Sequence, residues 1–424
     1  MAHKLRLFVV LLILIINPMI SLAENDNWHQ LEIGFNLDYP DRVPLFEPAL
    51  LKISELGIRH VYIYEIFDGK QGNEYQTRLK KALDSVLKHG MIPTICISNI
   101  HARLQPTNKE IKKQLNAALP LSIEKQIDGI LTYSNRYPPN DWQNYTASIQ
   151  ELVNFLFSTY GSEIVQTWPF EIGNEPDASR FFWGNPSQFL EMYTRAEKVL
   201  SRNGIKVIGG FGLTHHSILI NNKSELKNLH YYQLIKDIQC ESLPKRFISF
   251  HLFNMDTNNP LENYPKWLSD SHCPVMITGW NVSSRSGKAA KIFNKPGAWG
   301  EAFLHLLADS ARFRINRLYI FNLMDYPALE SPQLGAFDRN GESKSWYQDF
   351  IAIWKVIREG YSVIRNETSL IIIGKRNQRI VLSLSSRLPL NSALIYSPYI
   401  KPNLNQINPG QWAIISSSPN NNSL

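Results

Sequence analysis

Cysteine is scarce in this chain of 424 residues: only Cys96, Cys240 and Cys273 are present. None stands at the close spacing that holds zinc or an iron-sulfur cluster, so no cysteine-based metal centre and no cofactor is expected. Cys96 lies in an apolar run and reads as a small buried hydrophobe. Cys240 and Cys273 can pair in an oxidising compartment if the fold brings them within reach. Charge is modest too, at 19% of residues with a formal net charge of +7. Lys80, Lys81, Lys112, Lys113, Arg312, Arg314 and Arg317 are scattered rather than gathered into a stripe with aromatics between them. That distribution describes a solvated surface and argues against a nucleic-acid partner. No solenoid-type repeat is present, and beyond the N-terminus no apolar run reaches membrane-spanning length.

The N-terminus itself is patterned. Lys4 and Arg6 flank an apolar run from Leu7 to Ile16, and Ser21-Leu22-Ala23 precede the acidic Glu24. A basic flank, a short apolar run and a small-x-small site make a secretory signal peptide over residues 1–23; the run is too short to span a bilayer. Its removal takes Lys4 and Arg6 away and leaves a net charge of +5. The mature chain is expected to be soluble and exported, secreted or periplasmic, without stable membrane insertion.

Beyond the leader the chain alternates between two kinds of segment. Short apolar runs at Leu31 to Asn36, Ile58 to Phe67, Met91 to Ile100, Ile164 to Phe170, Ile205 to Phe211, Phe247 to Phe253, Val275 to Thr278 and Leu318 to Leu323 read as strands. Amphipathic stretches between them read as helices, closed by Gly57, Gly90 and Gly204, with Asp141 placed as an N-cap and Asn185-Pro186 as a cap followed by proline. A last helix spans Ser345 to Glu359. Residues 101–140 break the rhythm with polar, proline-containing sequence, the mark of a functional loop. Eight strand-then-helix units with apolar strands imply a parallel sheet closed by helices, a (β/α)₈ TIM barrel over residues 24–360. From residue 361 the helical period gives way to short strand-like runs, Leu370 to Ile373, Arg379 to Leu384, Ala393 to Tyr396 and Trp412 to Ile415. These form a small β-rich appendage over 361–415, and the Ser/Asn-rich residues 416–424 are expected to be disordered.

In such a barrel the C-terminal strand ends carry the active site. The fourth run ends in Asn174-Glu175-Pro176-Asp177. Proline leaves the ladder there, so Glu175 sits at the lip of a strand and faces a cleft, with Asn174 beside it to hold a sugar hydroxyl. One chemical use for that pair is glycoside cleavage, in which the acid protonates the leaving oxygen and a second carboxylate acts from the other face of the ring. A polar turn that merely closes a strand is the competing reading. His251 ends the sixth run, and Gly279-Trp280-Asn281 end the seventh.

The motif Phe170-Glu171-x-x-Asn174-Glu175-Pro176 on a fourth strand, His251 on a sixth and Ile277-Thr278-x-Trp280-Asn281 on a seventh resemble the retaining barrel glycosidases, most closely glycoside hydrolase family 39. Leu334 to Gly341, running into Trp346 and Tyr347, is similar to the segment those enzymes carry after the eighth strand. The resemblance spans roughly residues 30 to 360, with its motifs in barrel order. It implies a carbohydrate partner, an oligo- or polysaccharide, with Glu175 as general acid/base and Asn174, His251, Trp280, Asn281 and Trp299 around the sugar. Trp168 and Trp183 are further candidates for stacking. Adjacent His215 and His216 are poorly placed to share one metal.

Two departures from the family's pattern stand out. Gly173 occupies the place of a common tryptophan, which alters one wall of the pocket. Gly279 occupies the place of the nucleophilic glutamate, and ordinary double displacement needs a carboxylate there. Glu65, Asp256, Glu301 and Asp325 are the carboxylates that could stand near that position, none with motif support. Three readings remain open: a catalytically impaired carbohydrate-binding pseudoenzyme, hydrolysis by another route in which the glycine leaves room for water, and an enzyme damaged by a single base change. Room at Gly279 also carries the expectation that formate or azide can enter and stand in for the missing side chain.

Overall fold

Parallel strands flanked by helices must bury both sheet faces, and closing the sheet on itself removes its edges. The computed structural model describes residues 28–38, 40, 43–64, 66–67, 74–98, 100, 104, 137–177, 181–182, 184–214, 245–253, 273–282, 292, 294–325, 334–376, 378–385, 387–390, 394–399 and 406–416. Strands β1 (Glu32–Asp38), β2 (His60–Ile63), β3 (Ile92–Ile97), β4 (Pro169–Ile172), β5 (Val207–Leu213), β6 (Lys245–Leu252), β7 (Val275–Trp280) and β8 (Ile315–Ile320) form a closed barrel in sequence order. All neighbours are parallel, and β1 pairs with β8 to complete the ring. The expected TIM barrel is therefore present.

The helices described are α1 (Glu47–Glu55), α2 (Glu74–Lys88), α3 (Trp142–Tyr160), α4 (Pro186–Arg202), α5 (Ala298–Arg312) and α6 (Ser345–Ile357). Asp141 caps α3 by accepting from the backbone N–H of Gln143 and Asn144. Asn185 caps α4 in a reciprocal box with Gln188, which lies three residues on. The fourth apolar run does not match its strand. Ile164 is exposed and ends a helical turn, while Trp168 packs against Tyr160 of α3, so the run's apolar character serves helix packing and the strand begins at Pro169. Among the described residues no helix is long and apolar enough to cross a membrane. Residues 1–27, which hold the expected signal peptide, lie outside the described residues.

An aromatic seam ties the late helices to the barrel. Trp280 of β7 meets Trp299 of α5 at 5.2 Å between ring centroids, and Trp299 stacks on Trp346 of α6 at 4.5 Å. Rings this large carry much of the core's burial energy, and truncating one costs about 3–5 kcal/mol.

The C-terminal segment builds a separate antiparallel sheet in the order β13 (Leu394–Tyr396), β15 (Trp412–Ser416), β11 (Gln378–Ser383), β10 (Ser369–Gly374) and β9 (Tyr361–Arg365). A two-stranded ribbon pairs β12 (Leu388–Pro389) with β14 (Gln406–Ile407). The sheet docks on α5 and α6: the Trp412 indole donates to the Gly297 carbonyl at 3.0 Å, Tyr361 to the Leu307 carbonyl at 2.9 Å, and Tyr396 to the Asp349 carboxylate at 2.9 Å. Cys273 is disulfide-bonded, Cys96 is a buried thiol outside any disulfide, and Cys240 lies outside the described residues.

Asp349 carries a testable consequence of this docking. Burial pushes its carboxyl up to about 6, against the opposing Tyr396 hydroxyl and Gly300 backbone. An ordinary aspartate titrates near about 3.9, so between there and about 6 the folded chain holds a proton that the unfolded chain has released. Stability contributed by this site therefore falls as pH rises through that window. Asp349→Asn is expected to stabilise the chain by about 2 kcal/mol above that window, with the gain vanishing below it, as read by thermal melts across pH. A variant less stable than the parent at neutral pH would show that the carboxylate's hydrogen bonds outweigh its burial.

Candidate active site

The loop after β4 is held from three directions. Gly173 donates its N–H to the Ile97 carbonyl at 2.9 Å, and the Cys96 thiol lies 3.3 Å from the Gly173 carbonyl. Glu175 donates its N–H to the Gly212 carbonyl at 2.9 Å, and Gly212 in turn donates to the Ser249 hydroxyl at 2.9 Å. Asp177 accepts from both the backbone N–H and the hydroxyl of Thr214. These bonds hold Glu175 at φ 45°, a left-handed conformation that costs a glutamate about 1–3 kcal/mol. Such strain persists where surrounding bonds over-determine it.

Glu175 is 4% exposed and His251 7%. The His251 Nδ1 lies 2.9 Å from the Glu175 Oε1. His251 reaches this position because the β6–β7 register shifts between Phe250 and His251, which sets His251 opposite Gly279. A Cβ built on Gly279 would stand 3.1 Å from the His251 Cδ2 and 3.3 Å from its Cγ. A side chain at 279 would begin against the edge of that ring, which has to give by a few tenths of an ångström to admit it.

Glu171 enters the sequence motif only as a companion of Asn174 and Glu175, yet the structure places it at the centre of the site. It is fully buried inside the barrel and accepts from the Tyr62 hydroxyl at 3.1 Å and from the Thr278 hydroxyl at 3.3 Å. Burial pushes its carboxyl up to about 7, against the opposing pull of His251 and of the Tyr62, Ser249 and Thr278 hydroxyls. A glutamate inside an apolar strand, flanked by Phe170 and Ile172, is the signal that marks it in the sequence.

The other expected residues divide. Asn174 is buried on the same turn as Glu175. Asn281 is spent on structure: its Nδ2 donates to the Phe321 and Leu334 carbonyls, and its Oδ1 accepts from the Val282 N–H at 2.8 Å. Trp280 and Trp299, at 0% and 1% exposure, belong to the aromatic seam between β7, α5 and α6. This packing corrects the assignment of Trp280, Asn281 and Trp299 to sugar contacts. Asp325 is bound by Lys344 at 2.6 Å and by the Gly335 N–H at 2.8 Å, and Glu301 faces Gly410 of the appendage. Neither supplies the absent carboxylate. Glu65, Trp183, His215, His216 and Asp256 lie outside the described residues. The aromatics that do flank the site are Phe253, 6.1 Å from the His251 ring, and Phe321, 5.5 Å from Phe253, both half-buried.

The sequence model of Glycosyl hydrolases family 39 matches residues 128–262, a span that contains Glu171, Asn174, Glu175 and His251. The resemblance is to glycosyl hydrolases family 39. A beta-xylosidase of Caldicellulosiruptor saccharolyticus is 36% identical over 63 residues, 15% of this chain and 13% of that protein. The match therefore spans only a small part of that relative's length. The GH39 beta-xylosidase of Caulobacter crescentus superposes with a TM-score of 0.61 at 14% identity, over 84% of this chain and 77% of that one. The GH39 enzyme of Xanthomonas axonopodis pv. citri gives 0.59 at 14% identity, over 84% and 72%. At such identity these two establish the shared barrel fold.

At Gly173, where the resemblance raises the expectation of a tryptophan, the structure leaves no room for a larger residue. Gly173 has φ 97°, and a Cβ on it would stand 2.5 Å from the Phe189 ring of α4. Gly173→Ala is expected to destabilise the chain by about 2–4 kcal/mol in urea titration, through backbone strain and overpacking together. A loss below about 1 kcal/mol would mean that Phe189 yields freely.

Proposed function

We propose that this chain is an exported glycoside hydrolase-like protein acting on O-glycosidic bonds of an oligo- or polysaccharide, with Glu175 as general acid/base. The observation that carries the reading is Glu175 itself: it stands beyond the C-terminal end of β4 in a strained conformation, braced by Gly212 and paired with His251. A carboxyl so fixed can place a proton on a glycosidic oxygen, a step worth typically about 10²–10⁴ in rate. The likeness of residues 128–262 to a glycosidase family points the same way. Phe253 and Phe321 offer ring surface at the same end of the barrel.

A second reading has its own observation. Gly279 brings no carboxylate, and the His251 ring lies over it. A catalytically impaired carbohydrate-binding pseudoenzyme fits that arrangement as a site that keeps the acid and the cleft without the nucleophile.

Hydrolysis of aryl glycosides and binding of oligosaccharides by calorimetry separate the two. For the enzyme, Glu175→Gln is expected to lower turnover of substrates with poor leaving groups by about 10²-fold or more while binding persists. Turnover untouched by Glu175→Gln would place the chemistry elsewhere; binding with no turnover in the parent would establish the second reading. Formate is expected to raise turnover of the parent by entering beside Gly279 in place of the missing side chain; no rescue would mean that the His251 ring blocks that space. Gly279→Glu requires His251 to yield by a few tenths of an ångström, and it is expected to raise hydrolysis above the parent's; no gain would mean that the ring does not yield.

Export rests on the signal peptide over residues 1–23. Cell fractionation with N-terminal sequencing is expected to find the mature product outside the cytoplasm, beginning at Glu24. An intact Met1 on a cytoplasmic product would overturn it.

A further inference from the structure

We propose that Glu171 is a positioning residue that governs the proton held between His251 and Glu175. The inference rests, for its catalytic consequence, on Glu175 being the acid.

His251 meets Glu175 at one ring nitrogen, and its other ring nitrogen and Glu171 both lie beside Gly212. The His251 Nδ1 faces the Glu175 Oε1 at 2.9 Å. On the other side of the ring, a Cβ built on Gly212 would meet the His251 Nε2 at 3.3 Å and the Glu171 Oε1 at 2.9 Å, so both atoms converge on the one point that glycine leaves without a side chain. The His251 Nε2 and the Glu171 Oε2 are buried and make no hydrogen bond among the described residues. With no hydrogen bond between the Nε2 and that carboxyl, Glu171 acts on the imidazole through space, by the charge it sets beside the ring.

The surroundings hold Glu171 in readiness for either charge. It faces Tyr62 from β2, Ser249 and His251 from β6, and Thr278 from β7. Cys96 of β3 lies beside Tyr62, and the Tyr62 ring lies 5.4 Å from that of Tyr319 of β8, which bonds Thr94 at 2.5 Å and is linked to Arg317. The hydroxyls of Tyr62 and Thr278 stabilise the carboxylate, while full burial favours the acid. The two influences oppose each other, so the loss of one hydroxyl or of the charge shifts the balance that His251 feels.

In hydrolysis the steps balance. Glu175 gives its proton to the leaving oxygen, and the attacking water forms the new bond to the sugar carbon and releases one proton. The Nδ1 proton of His251 passes to the Glu175 Oε1 across 2.9 Å, and the proton released by water returns to the imidazole, so each turnover ends in the starting state.

The test reads His251 directly and needs no substrate. In chain carrying ¹⁵N-labelled histidine, with the ring signals assigned by His251→Asn, the parent is compared with Glu171→Gln and Tyr62→Phe across pH. Removing the Glu171 charge is expected to make the His251 ring give up its proton at a pH lower by about one unit or more. Tyr62→Phe removes one hydroxyl, leaves the carboxyl in place, and is expected to move the same titration by a smaller amount; it keeps the test decisive if Glu171→Gln does not fold. A His251 titration that stays put in the folded variants would overturn the proposal. Coupling seen by NMR in a chain whose turnover ignores Glu175→Gln would uphold the proton network and reject Glu175 as the acid, so the two failures are distinct.

Discussion

A carboxylate sealed inside a barrel has to be answered by its neighbours, and much of this site depends on that constraint. Glu171 points inward from β4, where water cannot solvate it, and it is met by hydroxyls from β2, β6 and β7 and by His251. Those partners come from strands far apart in sequence and are brought into register only by closure of the barrel. His251 then carries the arrangement up to Glu175 at the lip. Fold and site are joined here: the barrel's polar interior and the cleft share one set of hydrogen bonds.

Gly173 and Gly279 each stand against a ring. Gly173 lies under the Phe189 ring and Gly279 under the His251 ring, each so close that a side chain has to displace its neighbour. At Gly173 the Phe189 ring of α4 fills the place, whereas at Gly279 the His251 ring of the neighbouring strand has only to give by a few tenths of an ångström. A change at 279 therefore involves two residues, and the stability and chemistry of that pair are not additive.

The barrel is legible in the chain because eight apolar runs recur in order, and each has its counterpart in β1 to β8. Glu175 and His251 are legible because proline and polar residues punctuate strand ends. The residues that sequence misplaces do so for a different reason. Trp280 and Trp299 are aromatic residues near strand and helix ends, and sequence does not tell which face of a strand they take; the register shift on β7 turns Trp280 outward to Trp299 and Phe303. Asn281 looks like a sugar ligand by chemistry, but the carbonyls it bonds belong to loops more than 39 residues away. Glu171 is hard to see because a charge inside an apolar run reads as an interruption of the strand. Only the closed sheet shows that Tyr62 and Thr278 converge on it.

The absence of a carboxylate at 279 changes how Glu175 can be governed. In a double displacement the nucleophile's charge, across the cleft from the acid, holds the acid's proton in place and is consumed as the covalent bond forms. Under the proposed roles, Glu171 acts from beneath the cleft, on the side of His251 away from Glu175, and a bound sugar would not consume its charge. The pairing of Glu175 with His251 would then serve a protein that turns substrate over and one that only binds it, so the two readings part at position 279 rather than at 175.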